Sequence, residues 1–165
     1  MPAFYKLTEM KKIILALISA IVFSVAADAQ DYKTGVGLRL GTSVGVTAKH
    51  FVGERSAFEG LLTTRWQGLE ITGLYEIHNN AFDVDRLNWY FGFGGHFGFY
   101  NGDHTPWGEE GNNYTIVGID GIIGMEYSFV DVPIGFSLDW KPMFNLTGYT
   151  GFWGDALALS VRYNF

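Results

Sequence analysis

Apolar and polar positions alternate along most of this 165-residue chain. At its end, Leu157, Leu159, Val161, Tyr163 and Phe165 alternate with Ala158, Ser160, Arg162 and Asn164. Successive side chains point to opposite faces in an extended strand, so this period of two predicts a strand with one greasy and one polar face. The same period recurs over Thr34–Gly41, Val44–Phe51, Ser56–Arg65, Leu69–His78, Leu87–Tyr100, Tyr114–Phe129, Ile134–Leu146 and Ala156–Phe165, which predicts eight strands. Turn chemistry separates them: Gly53-Glu54-Arg55, Asn79-Asn80, Asn101-Gly102-Asp103, Gly111-Asn112-Asn113, Asp131-Val132-Pro133 and Gly151 to Asp155.

The two faces differ in bulk. In the fifth run Trp89, Phe91, Phe93, Phe97 and Phe99 share one face, opposite Asn88, Tyr90, Gly92, Gly94, His96 and Gly98. In the sixth, Val117, Ile119, Ile123, Met125 and Tyr127 oppose Gly118, Asp120, Gly124, Glu126 and Ser128. A barrel of about eight strands has an interior just wide enough for side chains. The large aromatics do not all fit there, whereas the small and polar face does. A soluble lipocalin-like barrel has apolar residues inside; a transmembrane barrel has lipid outside and a polar lumen. The expected fold is therefore all-β: an antiparallel up-and-down eight-stranded transmembrane β-barrel. After the amino end no stretch approaches about 18 consecutive apolar residues, so no transmembrane helix is expected. With an even strand number both ends lie on one side. The connections near Gly53, Asn80 and Asp131 are then periplasmic. Those near Thr42 and Gln67, and the segments Gly102–Asn113 and Thr147–Asp155, face outward. Trp66, Trp89, Trp140, Trp153 and Tyr163 fall near strand ends, where amphipathic rings form interfacial girdles.

The amino end has a different pattern. Lys11 and Lys12 precede the uncharged stretch Ile13 to Ala26, and Ala27-Asp28-Ala29 then stands before Gln30. This order of basic, apolar and small residues predicts a cleavable signal peptide. The apolar stretch is too short for the roughly 20 residues of a spanning helix. The expected organisation is a signal peptide over residues 1–29, with 1–9 an upstream extension before Met10, and a barrel domain over 30–165. The expected location is the outer membrane of a Gram-negative cell. Cysteine is absent, which excludes disulfides, thiolate chemistry and a lipoprotein anchor. The net charge of -6 argues against a nucleic-acid partner, because phosphate contact needs a basic surface.

Strand phase places Arg39, Lys49, Arg65, Lys141 and Arg162 inward, together with Glu59, Glu70, Glu76, Asp120, Glu126 and Asp139. His96 joins them. The two signs nearly cancel, as an enclosed lumen requires, since buried charge is tolerated only when paired. A salt-bridged polar plug is expected. The sharper alternative is a narrow gated path, or a carboxylate titrating near neutral pH, with Asp120 and Glu126 the candidates. Catalytic constellations are thin. His96 could act as an acid–base group, while Ser128 and Ser137 stand in no nucleophile motif. His104, Glu109 and Glu110 offer imidazole and oxygen ligands for a divalent cation, but at no fixed spacing. No catalytic, metal or cofactor site is assigned, and an enzyme is not expected.

A signal peptide ending Ala27-Asp28-Ala29, eight alternating strands and the last strand Ala156 to Phe165 resemble the small outer-membrane β-barrel families. These are the OmpX-like and OmpA-transmembrane-domain-like proteins, with the single-domain versions of Bacteroidetes. The resemblance implies that Tyr163 and Phe165 form the assembly signal read by the barrel-assembly machinery. It implies contact with outer-membrane lipid and lipopolysaccharide, and outer-membrane protein partners. The expected role is structural or interactive: envelope integrity, adhesion or membership of an outer-membrane complex. No peptidoglycan-binding domain of the OmpA kind is expected. Alternatives are a narrow pore, a soluble periplasmic ligand-binding barrel, or a lipid-modifying enzyme, though the His-x-Ser motif of the deacylase barrels is missing.

Overall fold

The computed structural model describes residues 32–165. The expected signal peptide and upstream extension lie outside the described residues. Among the described residues ten strands form: β1 Thr34–Gly41, β2 Val44–Phe51, β3 Ser56–Arg65, β4 Gly68–Asn80, β5 Leu87–Asn101, β6 Asn113–Ser128, β7 Ile134–Trp140, β8 Met143–Asn145, β9 Gly151–Trp153 and β10 Leu157–Asn164. All pairings are antiparallel. The order β5-β4-β3-β2-β1-β10-β7-β6 closes on itself where β5 pairs with β6. Sequential neighbours joined by short connections close the ring through the β1–β10 pairing, so the walls form an eight-stranded up-and-down barrel.

The expected seventh strand, Ile134–Leu146, is interrupted. β7 pairs with Ile123–Ser128 of β6, and β8 pairs with Gly118–Asp120 in the same register. Between them stand Lys141 and Pro142. Proline has no N–H for the ladder, so pairing lapses there although the Pro142 carbonyl still accepts from Gly121 N–H at 2.9 Å. The chain then turns back through β9, a short strand the alternation does not announce. Its pairing with β8 is offset by one residue from that of β10 with β7.

The turn expected at Asn79-Asn80 also moves. Both asparagines remain in the ladder, opposite Trp89 and Asn88. The chain reverses instead over Ala81 to Val84, with Val84 N–H donating to Ala81 O at 3.1 Å. The Asn80 side-chain amide donates to Val84 O at 2.7 Å, which brings the turn closer to the strand end.

Burial follows the strand period. Leu38, Phe58, Phe93, Ile119 and Leu138 face outward, each more than half exposed. Phe58, Tyr75 and Phe93 form a cross-strand row on that surface, with ring centroids 5.2 and 6.1 Å apart. The inward face is mainly polar. Glycine makes room there for rings: His96 lies so close over Gly118 that an added Cβ would stand 2.3 Å from its Cε1.

Candidate functional site

The interior holds two charged layers. The first centres on Lys49 and Arg162, on β2 and β10. Lys49 Nζ lies 2.8 Å from Glu76, 3.1 Å from Glu126 and 3.6 Å from Glu59. Arg162 donates to Glu59 at 2.5 Å, Glu126 at 2.9 Å, Ser137 Oγ at 2.9 Å and Thr47 Oγ1 at 3.2 Å. Thr47 in turn donates to Glu59, and Tyr32 donates to Glu126. Arg39 grips Asp139 in a two-pronged pair at 2.5 and 2.8 Å, and Tyr90 OH donates to the same carboxylate at 3.1 Å. Lys49 Nζ also sits 4.1 Å from the Tyr90 ring centroid, on which His78 stacks. Charge-assisted bonds of this kind are the strong ones, and two-pronged arginine pairs add geometric definition.

The second layer lies further along the strands. Lys141 Nζ contacts Asp120 at 2.8 Å and Glu70 at 3.3 Å. His96 bridges Asp120 at 2.9 Å and Asn145 at 3.0 Å. Tyr100 OH donates to Glu70 at 3.0 Å. Between the layers stands an apolar group, beside Thr72, which donates to Glu70 at 3.3 Å. Leu74 falls between Glu70 and Glu76 on β4, Ile122 between Asp120 and Glu126 on β6, and both pack with Leu61 and Tyr90. Charged layers thus flank an apolar group along the lumen.

Asp120 and Glu126 are the candidates of the sharper alternative, a carboxylate titrating near neutral pH. Each has a cationic nitrogen within about 3 Å, Lys141 for one and Lys49 with Arg162 for the other. Arg65 stands apart from the enclosed charges. It reaches the rim, stacks 3.9 Å over the Trp66 ring and pairs with Asp155 at 2.6 Å. Hydrogen bonds from Arg65 hold the Asp155 carboxyl below its usual 3.8. A lowered carboxyl pKa stabilises the fold above the unfolded value and loses that contribution as pH falls through the folded one. The Asp155 side chain is 55% exposed, so solvent screens the pair. Asp155→Asn is expected to cost less than about 1 kcal/mol at neutral pH. Urea midpoints should differ there and converge once pH drops through the folded Asp155 pKa.

His104, Glu109 and Glu110 are exposed on the β5–β6 loop and do not converge. Glu109 instead accepts from the Asn112 amide at 3.1 Å. Among the described residues no group of three or more His, Asp or Glu side chains is placed to hold a metal. Ser128 and Ser137 face inward; Ser137 serves Arg162 and Ser128 lies 3.5 Å from the Asn164 amide. Tyr163 is 41% exposed on the outer face, opposite Val36 and Ile134. Trp89 and Trp140 point outward, whereas Trp66 and Trp153 pack on one another at the rim, 5.6 Å apart. Tyr90, His78, Thr47 and Asn145 join the network without having been singled out. Each lies on the inward phase of its strand, which is the signal that could have found them. No family model matches the chain, and no curated protein matches it.

Proposed function

We propose that this chain is an integral outer-membrane β-barrel protein with a structural or interaction role, its lumen plugged by side chains. The observation that carries the reading is the inversion of the usual inside and outside. Leu38, Phe93, Leu138 and Leu157 are 58–68% exposed, while Lys49, Glu76, Arg39 and Arg162 are at most 1% exposed. Soluble proteins rarely expose a contiguous apolar surface beyond a few hundred Å². A hydrocarbon surround makes that surface favourable, and a closed barrel satisfies every wall N–H and C=O without water. The ion pairs that span the lumen favour envelope integrity, adhesion or complex membership over conduction. On this reading the outer surface meets lipid and lipopolysaccharide, and Tyr163 with Phe165 serves the barrel-assembly machinery.

Expression in a Gram-negative host, followed by fractionation and paired heated and unheated gel lanes, tests this. The protein is expected in the outer-membrane fraction, resistant to alkaline extraction, with faster migration when unheated. Folded protein in the soluble fraction without detergent would overturn the reading.

A further inference from the structure

Two carboxyl groups in the first charged layer stand as a pair of ionised carboxylates does not. Glu59 on β3 and Glu76 on β4 have fully enclosed side chains, and their carboxyl groups hydrogen-bond to one another. An ionised carboxylate only accepts, so a hydrogen bond between two of them requires a proton.

The donors around the pair leave a place for it. Glu59 Oε1 accepts from Arg162 of β10 at 2.5 Å and from Thr47 of β2. Glu76 Oε2 lies 2.8 Å from Lys49 Nζ of β2 and 3.0 Å from its strand neighbour His78 Nε2. The other two oxygens, Glu59 Oε2 and Glu76 Oε1, are buried with no hydrogen-bond partner. Lys49 Nζ is 3.6 Å from that Glu59 oxygen, beyond hydrogen-bond length. Buried acceptors ordinarily have a donor, and one proton held between the two carboxyl groups supplies it.

Charge balance gives the same count. Among the described residues the layer sets four carboxylates, Glu59, Glu76, Glu126 and Asp139, against three cations, Arg39, Lys49 and Arg162. One negative charge is in excess where an unpaired charge is costly. The other acids leave no room for a proton. Glu126 of β6 accepts on Oε2 from Lys49 and Arg162, and on Oε1 from Tyr32. Asp139 of β7 accepts from Arg39 of β1 on both oxygens, and from Tyr90 of β5 on one. A charged His78 would bury a second N–H with nothing to accept it, because its Nδ1 has no partner.

We propose that Glu59 and Glu76 form a buried proton-binding site that holds one proton between them at neutral pH. The proton neutralises the layer. Its release to solvent leaves two facing carboxylates and one uncompensated charge inside the lumen. The proposal goes beyond the membrane reading and does not rest on it, because the contacts inside the closed barrel alone carry it.

Infrared spectroscopy of the folded full chain at neutral pH tests it, in a detergent without carbonyl groups. A carboxylic-acid C=O band is expected, shifted in heavy water. It should vanish in Glu76→Gln and in Glu59→Gln, each of which leaves one ionised carboxylate facing an amide donor. Glu70→Gln, in the second layer, should keep it. Circular dichroism verifies folding, and either glutamine variant assigns the band if the other fails to fold. Urea unfolding then counts the proton. Unfolded glutamates are ionised at neutral pH, so the folded parent binds one proton more and loses stability as pH rises. Relative to Glu76→Gln, its unfolding constant should rise about tenfold per pH unit while the pair keeps the proton. No acid band in the parent would overturn the proposal; with the pH slope still present, it would place the proton on His78. A band that survives in both glutamine variants, or one pH slope common to parent and Glu76→Gln, would overturn it too.

Discussion

Lys49→Met is expected to destabilise the folded barrel by about 3–5 kcal/mol, the cost of leaving buried charge without its partner. The Lys49 side chain is fully enclosed, and three carboxylates lie within 3.6 Å of its Nζ. Methionine replaces the aliphatic stem, so the main loss is charge rather than volume. Arg162 still answers Glu59 and Glu126, but Glu76 loses its lysine and keeps the His78 ring nitrogen at 3.0 Å. Adding Glu76→Gln to Lys49→Met is therefore expected to recover much of the loss. Replacing both partners removes the uncompensated charge along with the pair. Urea unfolding followed by tryptophan fluorescence measures both variants. A Lys49→Met protein within about 0.5 kcal/mol of the parent, as for a surface change, would mean that the first charged layer is hydrated rather than enclosed.

The alternation made the strands and the inward charges legible because a period of two leaves little freedom. Once Leu157 faces out, Arg162 must face in. Partner identity was not legible. Arg162 meets Glu59 across 103 residues and Lys49 meets Glu126 across 77, distances closed only by barrel register. Leu61, Leu74 and Ile122 sit on inward positions of their strands, but an apolar residue on a polar face reads as noise until parity is counted. The break after Trp140 follows from Pro142, whose missing N–H could have been weighed. The β9 hairpin has no comparable local signal, since its three residues pair only with the equally short β8. Asn79-Asn80 misled because turn-prone residues also occupy strand ends. The connection near Gln67 was legible, since β3 ends at Arg65 and β4 starts at Gly68, but nothing in an indole announces the left-handed backbone of Trp66.

Leu138→Arg divides water from lipid at the outer face. Leu138 is 58% exposed in β7, between Met125 of β6 and Leu159 of β10. An arginine there creates no clash and buries no charge within the protein. In water such a change falls within about 0.5 kcal/mol of neutral. On the lipid face of a transmembrane barrel it costs about 2–4 kcal/mol near the bilayer midplane and about 0–1 kcal/mol near the interface. Val132 supplies the internal control, because it is also exposed but lies in the turn after β6. In phospholipid vesicles, reversible urea unfolding is expected to show the larger loss for Leu138→Arg and almost none for Val132→Arg. The difference isolates depth from chemistry, since both substitutions introduce the same side chain at an exposed apolar position. Equal and negligible losses would place the apolar band in water, where its exposure has no physical compensation. A loss confined to Leu138 requires a surround in which the charged interior and the greasy exterior are both the stable arrangement.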